Sequence, residues 1–399
     1  MLHHTTWLFK KARGTVSLST CLPWIFCLTS CLLSMLLVAC EPASNVSEHH
    51  GTATPAIQAT STVNAGRTLL VYHGHSAAVD EARWSPDGKL IASASFDETV
   101  QVWDARTGLT LWKHSGPESV TWSPDGKLLA TTSADGIGQV WDARTGVLRW
   151  KSARVACQVG IILSWSADSR RLAIGRDDLD CLVNSVEIVD AMTGRDLLTH
   201  EQARVVSVTW SPDASSIASG RGDAVEIWNT RNGKTVKTYD TFSAAWSPNG
   251  KFLALGGNES QVLDVATGNT LWTQSEPPSS ISSIWDIAWS ADSQRVLTIY
   301  LKTVQVWDAL TGKRLFGYQD PTINSNFSGS IEWAPDSQHI VVINGNLPVL
   351  VFDTTTGATT ATYTEYQPQD WVYDASWSPD GKLIALASLD GTVRIWKAL

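Results

Sequence analysis

Five histidines, His73, His75, His114, His200 and His339, are available for acid–base work in the body of the chain, and no H-E-x-x-H or G-x-S-x-G stretch accompanies them. Serine, histidine and aspartate all occur, but a triad is defined by spatial geometry that these spacings do not supply. We therefore assign no catalytic residue. The stretch "GRDDLDCLVN" brings Asp177, Asp178 and Asp180 together, and three carboxylates can hold Ca²⁺ through oxygen ligands. Without the twelve-residue spacing of a calcium loop the reading adopted is a solvated acidic loop, with no metal and no cofactor. Cys157 stands where the first strand of one unit begins and Cys181 follows that unit's second strand, so an antiparallel pair brings them to the same face. A disulfide enclosing 23 residues would pin this enlarged loop and add roughly 3 kcal/mol in an oxidising compartment; two free thiols are the alternative. The remaining chemistry is recognition. Three long segments, "SEPPSSISSIW", "QDPTINSNFSGS" and "YTEYQPQDWVY", carry Trp285, Phe327, Tyr366, Trp371 and Tyr373 among stiffening prolines. Rigid aromatic rings suit binding anchors, although Trp285 and Tyr373 could instead point inward as strand residues.

The elements that must position these groups form one internal repeat. The anchor "WSPDG" or a variant begins at Trp84, Trp122, Trp165, Trp210, Trp246, Trp289, Trp333 and Trp377, at intervals of 36 to 45 residues. Each unit has an alternating strand, a Pro/Gly turn, a short apolar strand, a second polar turn, and a third strand with Trp103, Trp141, Val189, Trp228, Leu263, Trp307, Phe352 or Trp396 near its end. Seven turns of the type "DARTG" launch a fourth strand. The eighth unit ends at "VRIWKAL" and lacks one, while "RTLLVY" before the first unit is one strand too many. If "RTLLVY" takes the outer position beside Val393–Lys397, every sheet has four strands and a ring closes without an open seam. The class is all-β, with eight four-stranded antiparallel blades expected and seven as the alternative.

Charged residues make up 17% of the chain, and the 20 tryptophans against three methionines fit a repeated structural role. Residues 1–39 hold Lys10, Lys11 and Arg13, no acid, and nineteen uncharged residues from Cys21 to Ala39. They are set aside as a signal segment. The end "LLVAC" looks like the lipobox of bacterial lipoproteins, which implies an acylated Cys40, a membrane contact through the lipid, and a body outside the cytoplasm. An uncleaved anchor helix and simple secretion are the alternatives. Residues 40–66 then read as a lipid-anchored flexible linker. Without residues 1–39 the formal charge falls from -9 to -12, so nucleic acid is not an expected partner.

Over residues 67–399 the repeat resembles the WD40-repeat β-propeller family. The resemblance implies a hydrogen-bonded structural set at His75, Ser93, Asp97 and Trp103, and a monomeric, non-enzymatic body that binds a protein or peptide. A carbohydrate or small-ligand binder is the alternative. The pattern D-x-x-T-G-x-x-x-W in "DARTGLTLW", "DARTGVLRW" and "DVATGNTLW" also looks like the tryptophan-docking motif of quinoprotein dehydrogenases, which implies a quinone cofactor. The simpler expectation is that Trp112, Trp150 and Trp272 pack between blades.

Overall fold

In a computed structural model of the chain, the described residues are 66–399 except 134, 153–159, 178–183, 203, 276–285, 301–302, 320–329, 344, 346–347 and 366–370. Local chemistry sets the turns. In the first unit Ser85 Oγ donates to Asp87 Oδ1 at 2.7 Å, and the same carboxylate oxygen accepts from the Lys89 amide at 3.1 Å. The Leu90 amide then donates to Ser85 Oγ at 2.9 Å, which starts the next strand. After the third strand, Asp104 Oδ1 accepts from both the amide and the hydroxyl of Thr107, each at 2.8 Å. These side-chain bonds hold turns that need no help from distant residues, so the same unit recurs.

The strands Arg67–Tyr72 (β1), Val79–Trp84 (β2), Leu90–Ser95 (β3), Thr99–Asp104 (β4) and Thr110–Ser115 (β5) show the scheme. Strands β2 to β5 make the first sheet in sequence order, and six more four-stranded antiparallel sheets follow in the same way. The eighth runs Val372–Trp377, Leu383–Ser388, Val393–Lys397 and then β1, with Arg67 opposite Lys397 and Tyr72 opposite Val393. The count is eight, and the seven-bladed alternative falls. Blades are numbered here by anchor, from Trp84 in blade 1 to Trp377 in blade 8.

The core lies between blades, and two tryptophan belts stitch it. In the inner belt an anchor indole donates to a backbone carbonyl of the preceding blade's first strand. Trp122 bonds Arg83 O at 3.0 Å, Trp165 bonds Thr121 O at 3.3 Å, Trp210 bonds Ser164 O at 2.9 Å and Trp289 bonds Ala245 O at 2.8 Å. Trp84 bonds Ser376 O at 3.0 Å, and this bond joins blade 1 to blade 8. The outer belt consists of Trp112, Trp150 and Trp272, whose indoles donate to Ala143 O, Ala191 O and Ala309 O of the next blade at 2.9, 2.9 and 2.8 Å. Each ring lies against the next blade's turn glycine. A Cβ added at Gly146 would come within 2.7 Å of Trp112, so this position needs glycine for space as well as for its φ of 70°. The D-x-x-T-G-x-x-x-W pattern thereby marks a contact between blades, as expected for Trp112, Trp150 and Trp272.

Candidate functional site

His75, Ser93, Asp97 and Trp103 form one hydrogen-bonded chain at the edge of blade 1. The Trp103 indole donates to Ser93 Oγ at 3.2 Å, and Ser93 Oγ lies 2.8 Å from His75 Nε2. His75 Nδ1 lies 3.1 Å from Asp97, whose carboxylate also accepts from Thr99 Oγ1 at 2.6 Å and from the Ser76 amide at 3.0 Å. Burial lowers the pKa of His75 against the pull of Asp97, which favours a neutral ring donating from Nδ1 and accepting at Nε2. Burial alone would raise Asp97, but the bonds from Thr99 and Ser76 and the contact with His75 hold it at about 2. The group ties the loop at His75 to the strands β3 and β4 and the turn between them. The sequence shows partial copies at Asp135 and Trp141 and at Asp390 and Trp396, but not the hydroxyl partners: Trp141 donates to Thr131, Trp228 to Ser219 and Trp307 to Thr298 at 2.9, 3.0 and 2.9 Å. A Ser or Thr nine or ten residues before the tryptophan is the signal that could have found them.

Of the five aromatic residues expected as anchors, Trp285, Phe327 and Tyr366 lie outside the described residues. Trp371 and Tyr373 are both half-buried on the face where loops run into the first strands. The Trp371 ring lies on the Gly345 backbone of blade 7, where an added Cβ would sit 2.6 Å away, so part of its surface is structural. Tyr373 meets Phe96 of blade 1 edge to face, with ring centroids 6.1 Å apart. Phe96 is 58% exposed and Leu389 is 44% exposed. These two occupy the same place in neighbouring blades, each following the last residue of a second strand: the Phe96 amide donates to Ala78 O at 2.9 Å and the Leu389 amide to Trp371 O at 2.8 Å. Both were missed in the sequence because attention went to the long loops. The signal was a large apolar residue before the turn aspartate.

Around the inner strands of blades 7, 8, 1 and 2 sits a charge cluster. Carboxylates there cap backbone amides that an inner edge strand cannot pair within its own sheet. Glu332 accepts from the Trp377 amide at 3.0 Å, Asp374 from Ala82 at 3.2 Å, and Glu81 from Val120 at 3.1 Å, so each reaches from one blade to the next. Arg83 pairs with Asp374 and also donates to Ala82 O at 3.0 Å. Burial pushes both Glu81 and Glu332 up to about 7, opposed mainly by Arg83. Glutamates raised from 4.5 stabilise the ring fully below about pH 4.5, and this contribution is lost as pH rises through about 7. Asp97 works in the opposite sense: its contribution is present above about 3.8 and is lost as pH falls through about 2. Stability should therefore peak near pH 4 and drop by on the order of 2–3 kcal/mol per glutamate by pH 8. Denaturant melts across that range should flatten in Glu81→Gln and Glu332→Gln; an unchanged slope in both variants would refute the assignment.

Among the described residues no group of three or more His, Cys, Asp or Glu side chains is arranged to hold a metal. Cys157, Cys181, Asp178 and Asp180 lie outside the described residues, as does Cys40.

A family profile described as "WD domain, G-beta repeat" matches residues 66–104, 107–142, 194–229 and 358–397. Its first match opens on β1, a strand of blade 8, so sequence repeat and blade are offset by one strand. The chain is 29% identical over 225 residues to the Eukaryotic translation initiation factor 3 subunit I of Botryotinia fuckeliana, which covers 51% of this chain and 65% of that protein. It is 31% identical over 196 residues to Protein FIZZY-RELATED 3 of Arabidopsis thaliana, 47% of this chain and 40% of that one. A short stretch of 35 residues is 51% identical to the Probable cytosolic iron-sulfur protein assembly protein Ciao1 of Culex quinquefasciatus, 9% of this chain and 10% of that one. The C-terminal WD40 domain of Sif2 superposes with a TM-score of 0.70 at 16% identity, covering 84% of this chain and 99% of that one.

These relatives correct the reading taken from the N-terminal segment. They are eukaryotic proteins named for translation initiation and a cytosolic assembly, not bacterial lipoproteins, so the extracytoplasmic location, the acylated Cys40 and the membrane contact through a lipid are withdrawn. An apolar run followed by cysteine is a compositional signal of about twenty residues, whereas the likeness to these proteins runs through the repeats, where turn chemistry and seam packing constrain the sequence. The disulfide between Cys157 and Cys181 rested on an oxidising compartment, and it loses that premise too. The relatives' names, a factor subunit and an assembly protein among them, name no catalytic activity. By fold, the described body of the chain is an eight-bladed β-propeller.

Proposed function

We propose that the ring is a scaffold that binds a protein or peptide partner on the face where loops run into the first strands. The observation that carries this reading is the apolar patch across blades 8 and 1. Phe96 and Leu389 stand exposed at equivalent positions, Phe96 touches Tyr373, and Trp371 lies beneath the Leu389 backbone. Aromatic and aliphatic side chains already held by packing lose little entropy on binding, which makes them effective anchors. The names of the relatives, a subunit of an initiation factor and an assembly protein among them, support a role in complexes.

The test is site-specific photocrosslinking in intact cells. A benzophenone side chain at position 96 should trap a discrete protein adduct, and Leu389→Asp should reduce its yield at least about tenfold, as expected for an anchor worth 1.4 kcal/mol or more. The same probe at Lys89, on the turn at the opposite end of these strands, should trap none. Equal adducts at positions 96 and 89 would remove the patch from consideration.

A further inference from the structure

The sixth residue after an anchor tryptophan lies at the seam with the next blade; in blade 7 it is His339, which bonds Asp336 at 2.6 Å, and among the other seven one seam is not filled. Leu90, Leu128 and Leu383 pack in the clusters that hold Trp122, Trp165 and Trp84, and Phe252 stacks on Trp289 with centroids 6.0 Å apart. Two seams use arginine instead. Arg171 lies over the Trp210 ring at 4.7 Å, donates to Ala214 O at 2.7 Å and reaches Thr230 Oγ1 at 3.3 Å. Arg295 repeats this in blade 6, donating to Ser337 O at 2.7 Å and Thr354 Oγ1 at 3.1 Å.

Between blades 4 and 5 the corresponding residue is Ser216, too short to reach its neighbour. A cavity of about 440 Å³ opens there, lined among others by Asp213, Ser216, Trp246, Gly250 and Val265. Gly250 stands where Ala214 and Ser337 offer their carbonyls, and Val265 where Thr230 and Thr354 offer their hydroxyls. Apart from the hydroxyl, which Val265 lacks, the lining repeats the surroundings that arginine has at the other two seams. The Trp246 Nε1 is buried without a hydrogen-bond partner, as are those of the anchors Trp333 and Trp377, whereas the other five anchor indoles bond the preceding blade. Asp213 adds a carboxylate, held below the usual range by bonds from Ser211 and Ser215. The seam's own cations do not fill the place: Lys237 lies over the Tyr239 ring at 5.0 Å, and neither it nor Lys251 lines the cavity.

We propose that this cavity seats an arginine side chain of a partner polypeptide. The guanidinium stacks on Trp246 as Arg171 does on Trp210, donates to the Gly250 carbonyl as Arg171 and Arg295 do to the carbonyls at their seams, and is balanced by Asp213. The seat is at the turn end of the inner strands, away from the Phe96 patch, so it stands or falls independently of that site.

The experiment follows the indole N–H resonances of the full chain labelled with ¹⁵N-tryptophan, with the Trp246 signal assigned by its loss in Trp246→Phe. Titrating N-acetyl-arginine amide should shift the Trp246 resonance saturably, and N-acetyl-citrulline amide, equal in shape but neutral, should bind roughly tenfold more weakly or less. In Ser216→Arg the resonance should start displaced and respond no further, and Ser216→Leu, which fills the seam as blades 1 and 2 do, should also be silent. A Trp246 signal that ignores the arginine amide overturns the proposal. So does an equal response to citrulline, a stronger one to N-acetyl-lysine amide, or either Ser216 variant titrating like the parent chain.

Discussion

Deleting residues 67–73 will destabilise the ring by more than about 5 kcal/mol, and Tyr72→Ala alone will account for about 3 to 5 kcal/mol of the loss. Tyr72 ends β1, is 4% exposed, and stacks on Trp103 of blade 1 with centroids 4.3 Å apart and planes within 7°. Its hydroxyl donates to Gln101 Oε1 at 2.6 Å and meets Thr110 Oγ1 at 2.8 Å. One side chain therefore joins the outer strand of blade 8 to three residues of blade 1. The deletion also leaves Val393–Lys397 as an unpaired outer edge. Leu69, in the same strand but 53% exposed, provides the control: Leu69→Ser should change stability by no more than about 0.5 kcal/mol. Chemical denaturation of the three variants decides the matter, since equal losses at Leu69 and Tyr72 would mean that β1 does not close the ring.

Arg83→Met is expected to cost about 3 to 5 kcal/mol, because it leaves the Asp374 carboxylate buried without its counter-ion. Asp374 is 3% exposed and caps the Ala82 amide, so it cannot turn to water without breaking the contact between blades 8 and 1. Glu81 and Glu332 would lose the cation that now opposes their burial. The double variant Arg83→Met/Asp374→Asn should recover most of the loss, since a neutral amide keeps the shape without the charge. If the double variant is as unstable as Arg83→Met, the loss comes from packing of the arginine stem and not from charge.

Much of this architecture is legible in the sequence because its turns are local. Ser85 and Asp87 hold their turn through atoms two to five residues away, so the pattern survives in each copy and can be counted. The surplus strand "RTLLVY" is legible for the same reason, as a matter of strand number. The docking tryptophans are half legible: D-x-x-T-G-x-x-x-W marks Trp112, but only the seam shows that the ring faces Gly146 of the next blade. The charges of the inner strands are present in the sequence at Glu81, Arg83, Glu332 and Asp374, yet nothing in their spacing says that they meet. The patch was located in part, through Trp371 and Tyr373, while Phe96 and Leu389 sit in short turns that looked unremarkable.

The sequence by itself determined an all-β ring of eight units, because period and turn residues depend on contacts within forty residues, and the surplus strand at the start matches the strand missing at the end. Only the tertiary structure decided which side chains of different blades share a seam. Those contacts join residues one unit or a whole ring apart, such as Phe96 with Tyr373 and Arg83 with Asp374, and their energies depend on volume and burial across the gap. The short Ser216 shows the difference: in the sequence it is an ordinary strand residue, and in the ring it leaves a space bounded by an indole, a carboxylate and a carbonyl.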